Sequence, residues 1–200
     1  MTAIKICGLR RECDIDFVNE AMPEYIGFVF AKSKRQVDAR VAKKLKDRLH
    51  PDIKAVGVFV DEEAERIADL CKRGIIDMIQ LHGKEDENYI GRLRTMTEAP
   101  IIKAVRAGQM TAQELHGISA DYYLIDSGKG SGKTFDWSQV PEEIRVPWFL
   151  AGGLSTENIE EAIRKLHPYG VDFSSSVEVD GYKDRDKILE IVRRIRNVKR

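Results

Sequence analysis

The sequence is poor in cysteine, and the three cysteines it has are not spaced for a disulfide framework. Cys7, Cys13 and Cys71 are odd in number and include no C-x-x-C pair. The sequence also has no segment with the features of a secretory signal and no apolar run of about 18 residues. These absences predict a reducing, cytoplasmic setting and no membrane partner.

Neither sign of charge is in excess. Lys and Arg together number 33, as do Asp and Glu, so the formal net charge is zero and there is no basic patch to indicate nucleic-acid binding. The basic segment 193–200 fits the last turn of a helix, where cations complement the helix dipole. Six prolines and no low-complexity segment leave no candidate linker, so we expect one domain over residues 1–200.

What the sequence does have is a regular alternation of short β-branched runs with charged amphipathic stretches. The predicted strands are 4–7, 25–30, 53–59, 78–81, 101–105, 122–125, 148–150 and 171–174, and the predicted helices are 14–21, 38–49, 62–72, 85–96, 110–116, a weak one at 138–143, 156–166 and 184–198. Eight alternations predict an α/β fold of parallel strands closed into a single-domain (β/α)8 TIM barrel. A doubly wound open sheet is the alternative, but residues 7–10 (CGLR) are not the dinucleotide-binding fingerprint.

The first predicted strand carries a cysteine to its C-terminal end, where a barrel places its chemistry. Alternation along the strand puts Lys5 and Cys7 on one face and Ile4 and Ile6 on the other, so the Lys/Cys face predicts a polar interior site. The alternative for Cys7 is a small buried packing residue. We also expect Lys5 to pair with Asp172 on the eighth strand, because a buried ammonium needs a partner and these strands are neighbours only in a closed barrel.

The loops after strands 7 and 8 are candidates for binding an oxyanion. Gly152 and Gly153 let backbone N–H groups approach a phosphate, and Ser174, Ser175 and Ser176 add amides and hydroxyls. Barrels commonly bind phosphate with these two loops. A tight turn before the next helix explains the two glycines equally well.

Asp126 ends the sixth strand and is followed by a glycine-rich segment, 127–134 (SGKGSGKT). This segment lacks the glycine spacing of a nucleotide-binding P-loop, so we interpret it as a lid beside an acidic group. Cys7 and Asp126 together supply a base and an acid, which near neutral pH requires a lowered thiol pKa and a raised carboxyl pKa. Cys7, Cys71 and His82 have no metal-ligand spacing, so we expect no metal.

Three further polar residues follow strands 2 and 4. Arg35 is a candidate clamp for a carboxylate, although residues 32–35 (KSKR) could also be a solvated loop. Gln80 and His82 share one face of strand 4, where they are candidate substrate contacts or satisfied structural groups.

Eight motifs, in register over nearly the whole chain, resemble those of phosphoribosylanthranilate isomerases. They are 5–9 (KICGL), 27–30 (GFVF) with 33–35 (SKR), 56–60 (VGVFV), 80–83 (QLHG), 103–105 (KAV), 130–137 (GSGKTFDW), 151–154 (AGGL) and 171–175 (VDFSS). The resemblance implies a single (β/α)8 barrel that catalyses an Amadori rearrangement in tryptophan biosynthesis without a cofactor or metal. It also implies a phosphosugar–anthranilate substrate and a monomer or homodimer.

The resemblance implies roles for individual residues. Cys7 is the implied general base and Asp126 the implied general acid, with Arg35 near the anthranilate carboxylate. The implied phosphate contacts are Gly152, Gly153 and Ser174, Ser175 and Ser176. The family usually has glycine where this chain has Ser176, so we expect a strained loop or a narrowed pocket and weaker phosphate binding. Lys183 and Asp184 also fit the family pattern, with no role that the sequence assigns to either.

Two rival functions remain. The barrel isomerase of histidine biosynthesis performs the same rearrangement on a substrate with two phosphates. A resemblance to that enzyme would imply a pair of aspartates as acid and base, whereas this chain has Cys7 at the end of strand 1. The other rival is a barrel that binds a phosphosugar without turnover.

Overall fold

A computed structural model, which describes residues 1–126, 137–141 and 143–198, contains a closed barrel of eight parallel strands. The barrel strands are β1 (Ala3–Cys7), β2 (Tyr25–Val29), β3 (Lys54–Phe59), β4 (Met78–Leu81), β5 (Ile101–Arg106), β6 (Tyr122–Asp126), β7 (Trp148–Ala151) and β8 (Gly170–Phe173). β1 pairs with both β2 and β8, which closes the sheet and removes its edges. The predicted barrel is confirmed, and each strand lies within one residue of its predicted bounds.

Helices on the outside of the barrel connect the strands. They are α1 (Glu12–Ala21), α2 (Ala39–Lys46), α3 (Ala64–Lys72), α4 (Glu87–Arg94), α5 (Ala112–His116), α6 (Ile159–Leu166) and α7 (Arg185–Arg196). Several helices begin later than predicted because an aspartate that was predicted to be the first helical residue is the N-cap before it. The Asp38 and Asp184 side chains accept hydrogen bonds from backbone N–H groups of α2 and α7, at 2.7 and 3.0 Å.

One local prediction after the barrel strands is wrong, and one local element was not predicted. The predicted helix over 138–143 is not α-helical in its described part, which has one 3-10 turn at Trp137–Gln139. Pro141 explains this, because proline has no N–H to donate and disfavours the helical region in the residue before it. After β8 the chain forms a hairpin that the sequence did not predict, made of β9 (Glu178–Val179) and β10 (Tyr182–Lys183).

The sheet separates an apolar layer from an interior of mixed polarity. Ile4 and Ile6 are fully buried in the layer between the barrel and its helices, as their strand parity predicted. The N-terminal half of the interior is also apolar, with Tyr25 and Phe149 in edge-to-face contact at 5.5 Å. The C-terminal half instead contains Lys5, which is fully buried. Polar chemistry is therefore concentrated at the C-terminal ends of the strands.

No helix among the described residues is long and apolar enough to span a membrane.

Candidate active site

A cavity of about 720 Å³ opens at the C-terminal ends of the barrel strands. Every site residue predicted from the sequence lies in its lining: Cys7, Arg35, Gln80, His82, Asp126, Gly152, Gly153, Ser174, Ser175 and Ser176. A second cavity of about 760 Å³ adjoins it on the side of β4, β5 and β6 and shares His82 and Asp126 with it. The fold thus brings residues from six strand ends to one concave surface.

Cys7 lies at the cavity end of β1 in a space that a neighbouring glycine leaves open. Gly27 pairs with Cys7 in the β1–β2 register, and a Cβ atom at Gly27 would lie 2.6 Å from the Cys7 Sγ. Burial raises the pKa of the Cys7 thiol, and the nearby Lys5 ammonium offsets part of that rise. The lowered thiol pKa expected from the sequence is therefore wrong.

The predicted ion pair between the first and last strands is confirmed. Lys5 and Asp172 are register partners, and the Lys5 Nζ donates to Asp172 Oδ1 at 2.9 Å. Burial opposes the charge on Lys5, but Asp172 and the Cys7 sulfur outweigh it and raise the pKa of Lys5. Lys5 is therefore an ammonium that lies beside the thiol at neutral pH.

Gln80, His82 and Asp126 form a chain across the site. The Gln80 Nε2 lies 2.9 Å from His82 Nδ1, and His82 Nε2 lies 3.8 Å from Asp126 Oδ2. Burial lowers the pKa of His82 even though the Asp126 carboxylate favours its charged form. With the Gln80 amide donating to Nδ1, the neutral ring carries its proton on Nε2, directed at Asp126. Gln80 Oε1 is buried and has no hydrogen-bond partner within the described part of the chain.

Arg35 is held by an ion pair and is not part of a solvated loop. Its Nε and Nη2 donate to the two carboxylate oxygens of Glu178 at 2.6 and 2.7 Å. Its aliphatic stem crosses Gly8, where a Cβ atom would lie 2.4 Å from the Arg35 Cδ. Gly8 also has φ +90°, a conformation that favours glycine. Gly8, directly after Cys7, therefore leaves the space that the Arg35 side chain occupies at the end of β1.

The loop after β7 has a left-handed backbone conformation at both of its glycines. Gly152 and Gly153 have φ values of 79° and 63°, and both line the cavity. The predicted helix at 156 begins only at Ile159, because residues 156–158 form turns. In this turn the Ser155 N–H donates to the Asn158 Oδ1 at 2.9 Å.

The strain expected at Ser176 is not present. Ser176 lies in the 3-10 turn Ser175–Val177 and is not among the residues with positive φ. Any L-residue can adopt the negative φ of a right-handed 3-10 turn, so serine causes no backbone strain at this position. What the substitution changes is the side chain at the cavity lining.

Two buried ion pairs at the site were missed from the sequence. Lys103 donates to Glu85 at 2.7 Å, and Glu85 accepts from the N–H groups of Asp61 and Gly83 at 2.8 and 2.9 Å, which fixes the loop that carries His82. The second pair is that of Glu178 and Lys183, at 2.6 Å. The available signal was Lys103, a charged residue within an otherwise apolar predicted strand, whereas position 85 was assigned to the start of a helix.

The glycine-rich segment 127–134, interpreted from the sequence as a lid, lies outside the described residues. In the ranges that the structure describes, no three His, Cys, Asp or Glu side chains are grouped closely enough to hold a metal ion.

The chain matches known proteins over almost its whole length. A family model described as N-(5'phosphoribosyl)anthranilate (PRA) isomerase matches residues 4–194. The N-(5'-phosphoribosyl)anthranilate isomerase of Endomicrobium trichonymphae is 47% identical over 203 residues, which cover 99% of this chain and 100% of that one. The crystal structure of phosphoribosyl anthranilate isomerase from Thermotoga maritima superposes with a TM-score of 0.86 at 34% identity, covering 98% and 99% of the two chains.

A further similar structure holds a ligand. It is a phosphoribosyl anthranilate isomerase in complex with reduced 1-(o-carboxyphenylamino)-1-deoxyribulose 5-phosphate, with a TM-score of 0.83 at 32% identity, and it covers 98% of this chain and 99% of that one. That ligand has a carboxylate at one end and a phosphate at the other, joined by an open sugar chain.

Proposed function

The chain belongs to the N-(5'-phosphoribosyl)anthranilate isomerase family, an enzyme family of tryptophan biosynthesis, and we propose that Cys7 and Asp126 are its general base and general acid. The reaction is the Amadori rearrangement of N-(5-phosphoribosyl)anthranilate to 1-(2-carboxyphenylamino)-1-deoxyribulose 5-phosphate. The observation that carries the proposal is the single cavity whose lining contains both groups, one from β1 and one from β6. A thiol and a carboxyl can therefore reach one bound sugar from different sides.

The two groups have separate steps. Asp126 donates a proton to the furanose ring oxygen, the C1′–O4′ bond breaks, and the nitrogen lone pair forms the C1′=N bond of a protonated Schiff base. Cys7, as thiolate, then removes the proton from C2′, and the electron pair moves toward the imine to give an enolamine. Loss of the C2′ hydroxyl proton and protonation at C1′ complete the ketone. The protonated imine is the electron sink, so no outside oxidant or reductant enters the balance.

The rest of the cavity lining fits the two ends of the substrate. Arg35 has the geometry to bind the anthranilate carboxylate, and the glycine and serine loops after β7 and β8 offer N–H and hydroxyl donors to the phosphate. Those phosphate contacts are Gly152, Gly153, Ser174, Ser175 and Ser176. Gln80 and His82 are the remaining proposed substrate contacts. The Gln80 side-chain amide contacts His82 Nδ1 and thereby orients the imidazole ring.

The thiol supports this reaction over its two rivals. A barrel isomerase built on two aspartates has a carboxylate where this chain has Cys7, and the family match covers residues 4–194. A barrel that only binds a phosphosugar has no need of an acid and a base in one cavity. Turnover separates an isomerase from a binding protein directly.

The test is turnover of freshly generated phosphoribosylanthranilate, followed by the loss of its anthranilate-type fluorescence. We expect wild-type activity and a fall of about 10²- to 10⁴-fold in kcat for Asp126→Asn, because the amide has no acidic proton for the ring oxygen. The control is Asp52→Asn, which removes the same charge at an exposed position outside the cavity. A folded wild-type protein that binds the product analogue without turnover contradicts the proposal.

Ser176→Gly tests the phosphate contacts. Because Ser176 lines the cavity without backbone strain, its side chain is what can narrow the pocket, whereas its backbone N–H, the proposed phosphate contact, is kept in the glycine variant. We expect KM to fall several-fold, which corresponds to a gain of roughly 1 kcal/mol in the free energy of substrate binding, with kcat little changed. Inorganic phosphate as a competitive inhibitor gives an independent measurement. An unchanged KM and phosphate inhibition constant would show that the Ser176 side chain does not narrow the phosphate site.

A further inference from the structure

Three charged side chains form a cluster at the edge of the cavity. Glu178 accepts both hydrogen bonds from Arg35, and its Oε1 also accepts from Lys183 Nζ at 2.6 Å. Glu178 and Lys183 are only 9% and 4% exposed, so neither charge is solvated. Such groups persist in a fold only when every charge has partners.

The hairpin that carries Glu178 is fixed to the loop after β1. Glu178 and Lys183 are register partners across β9 and β10. The guanidinium groups of Arg10 and Arg11 lie 4.5 and 4.7 Å from the centre of the Tyr182 ring on the same hairpin. Arg11 also donates to the Lys183 backbone oxygen at 2.8 Å. Glu178 is therefore held on a rigid base rather than on a free loop.

Glu178 engages one edge of the Arg35 guanidinium, and the other edge has no hydrogen-bond partner among the residues that the structure describes. A guanidinium has five N–H donors, and Glu178 engages Nε and one proton of Nη2. The edge formed by Nη1 and the other Nη2 proton has the same fork spacing and suits a second carboxylate. Arg35 lines the cavity, so a ligand there can contact the guanidinium, and the donors that Glu178 engages are only those of the Nε/Nη2 edge.

The charges of the cluster suit one further anion. Burial opposes ionisation of Glu178, but hydrogen bonds from Arg35 and Lys183 outweigh it and lower the pKa of Glu178 to about 2. Glu178 is thus an anion at neutral pH. Two carboxylates on one guanidinium would leave a net negative charge. Lys183 adds the second cation, so the cluster and a bound ligand carboxylate together are neutral.

We propose that Glu178 is a positioning residue that holds Arg35 with its Nη1/Nη2 edge toward the substrate carboxylate, while Lys183 balances the added charge. This inference rests on the proposed function of Arg35 as the group that binds that carboxylate. It adds two residues that do not touch the substrate and act through the guanidinium.

The experiment compares two ligands in the full-length protein by titration. One is reduced 1-(o-carboxyphenylamino)-1-deoxyribulose 5-phosphate, and the other is the same compound without the carboxyl group. The ratio of their dissociation constants measures the preference for a carboxylate. We expect Arg35→Met to abolish the preference and Glu178→Gln to reduce it about tenfold, because the amide keeps the shape but loses the charge-assisted pair. We expect Asp180→Asn, the same charge change at an exposed position of the hairpin, to leave it unchanged.

A purely structural role of Glu178 weakens both ligands equally and leaves their ratio unchanged, which would overturn the inference. An unchanged or larger preference in Glu178→Gln, with the preference lost in Arg35→Met, also overturns it and leaves the role of Arg35 intact. A preference that survives Arg35→Met refutes the carboxylate assignment in the proposed function as well. If Glu178→Gln does not fold, Glu178→Asp keeps the charge beside Lys183 but draws the carboxylate back from Arg35, and a reduced preference is again the expected result.

Discussion

The Cys7→Ala variant is expected to lose about two to four orders of magnitude in kcat while it binds the reduced product analogue nearly as tightly as the wild type. Cys7 is the group proposed to remove the C2′ proton, and alanine leaves no base in its place. Cys7→Ser is expected to be almost as inactive, because a hydroxyl is far less acidic than a thiol and supplies little oxyanion at neutral pH. Stopped-flow turnover and analogue titration measure the two quantities separately.

A deuterium label at C2′ identifies the step that Cys7 performs. If Cys7 removes that proton, its loss makes proton transfer rate-limiting, and we expect a larger isotope effect on kcat in Cys7→Ser than in the wild type. The matched control is Cys13→Ala, which deletes a half-buried thiol on α1, outside the cavity, and is expected to keep full activity. A Cys7→Ala variant with kcat within tenfold of wild type, or a Cys7→Ser variant with no larger isotope effect than the wild type, refutes the general-base role.

The Lys5→Met variant is expected to lose about 3–5 kcal/mol in free energy of unfolding. Lys5 is fully buried, and its partner Asp172 is nearly so, at 10% side-chain exposure. Removing the ammonium leaves a carboxylate with far less compensation in a site that water reaches poorly. Urea unfolding at pH 7 measures the change, which is large because it includes the cost of the charge left behind as well as the lost attraction.

The double variant Lys5→Met/Asp172→Leu separates these two costs. With both charges replaced by apolar groups, we expect most of the lost stability to return. Activity is expected to stay low, because the cation that favours the Cys7 thiolate is gone. Lys43→Met is the control: it breaks a pair with Asp47 whose side chains are 45% and 58% exposed, and its cost is expected to be below about 1 kcal/mol. A Lys5→Met variant that unfolds at the wild-type urea concentration would show that the buried ion pair adds no stability.

The fold was predictable because its signal is periodic and local. Alternating apolar runs and charged helices repeat eight times, which favours parallel strands closed into a barrel, and the structure confirms the closure. Strand parity was equally informative, since it placed Lys5 and Cys7 inside and Ile4 and Ile6 under the helices. Predictions failed where one residue overrides a periodic pattern, as Pro141 does after the 3-10 turn.

The candidate site was predictable only in its inner part. Cys7, Asp126 and the two glycines follow directly from strands, so strand order alone brings them to one end of the barrel. Nothing in the spacing indicated that Glu178 lies against Arg35, because 143 residues separate them. The hairpin that carries Glu178 has strands of two residues each, too short to give a periodic signal.

The sequence by itself determined the barrel, the face on which each strand residue lies and the set of polar groups at the strand ends, because these depend on chain periodicity and on the order of elements. The tertiary structure alone decided which charges meet and in what environment. It set Lys5 against Asp172 at 2.9 Å, bound Arg35 to Glu178 and raised the thiol pKa of Cys7 by burial. Interactions of this kind depend on distances of a few ångströms between residues far apart in the chain, and on how little water reaches them. No local pattern encodes either quantity.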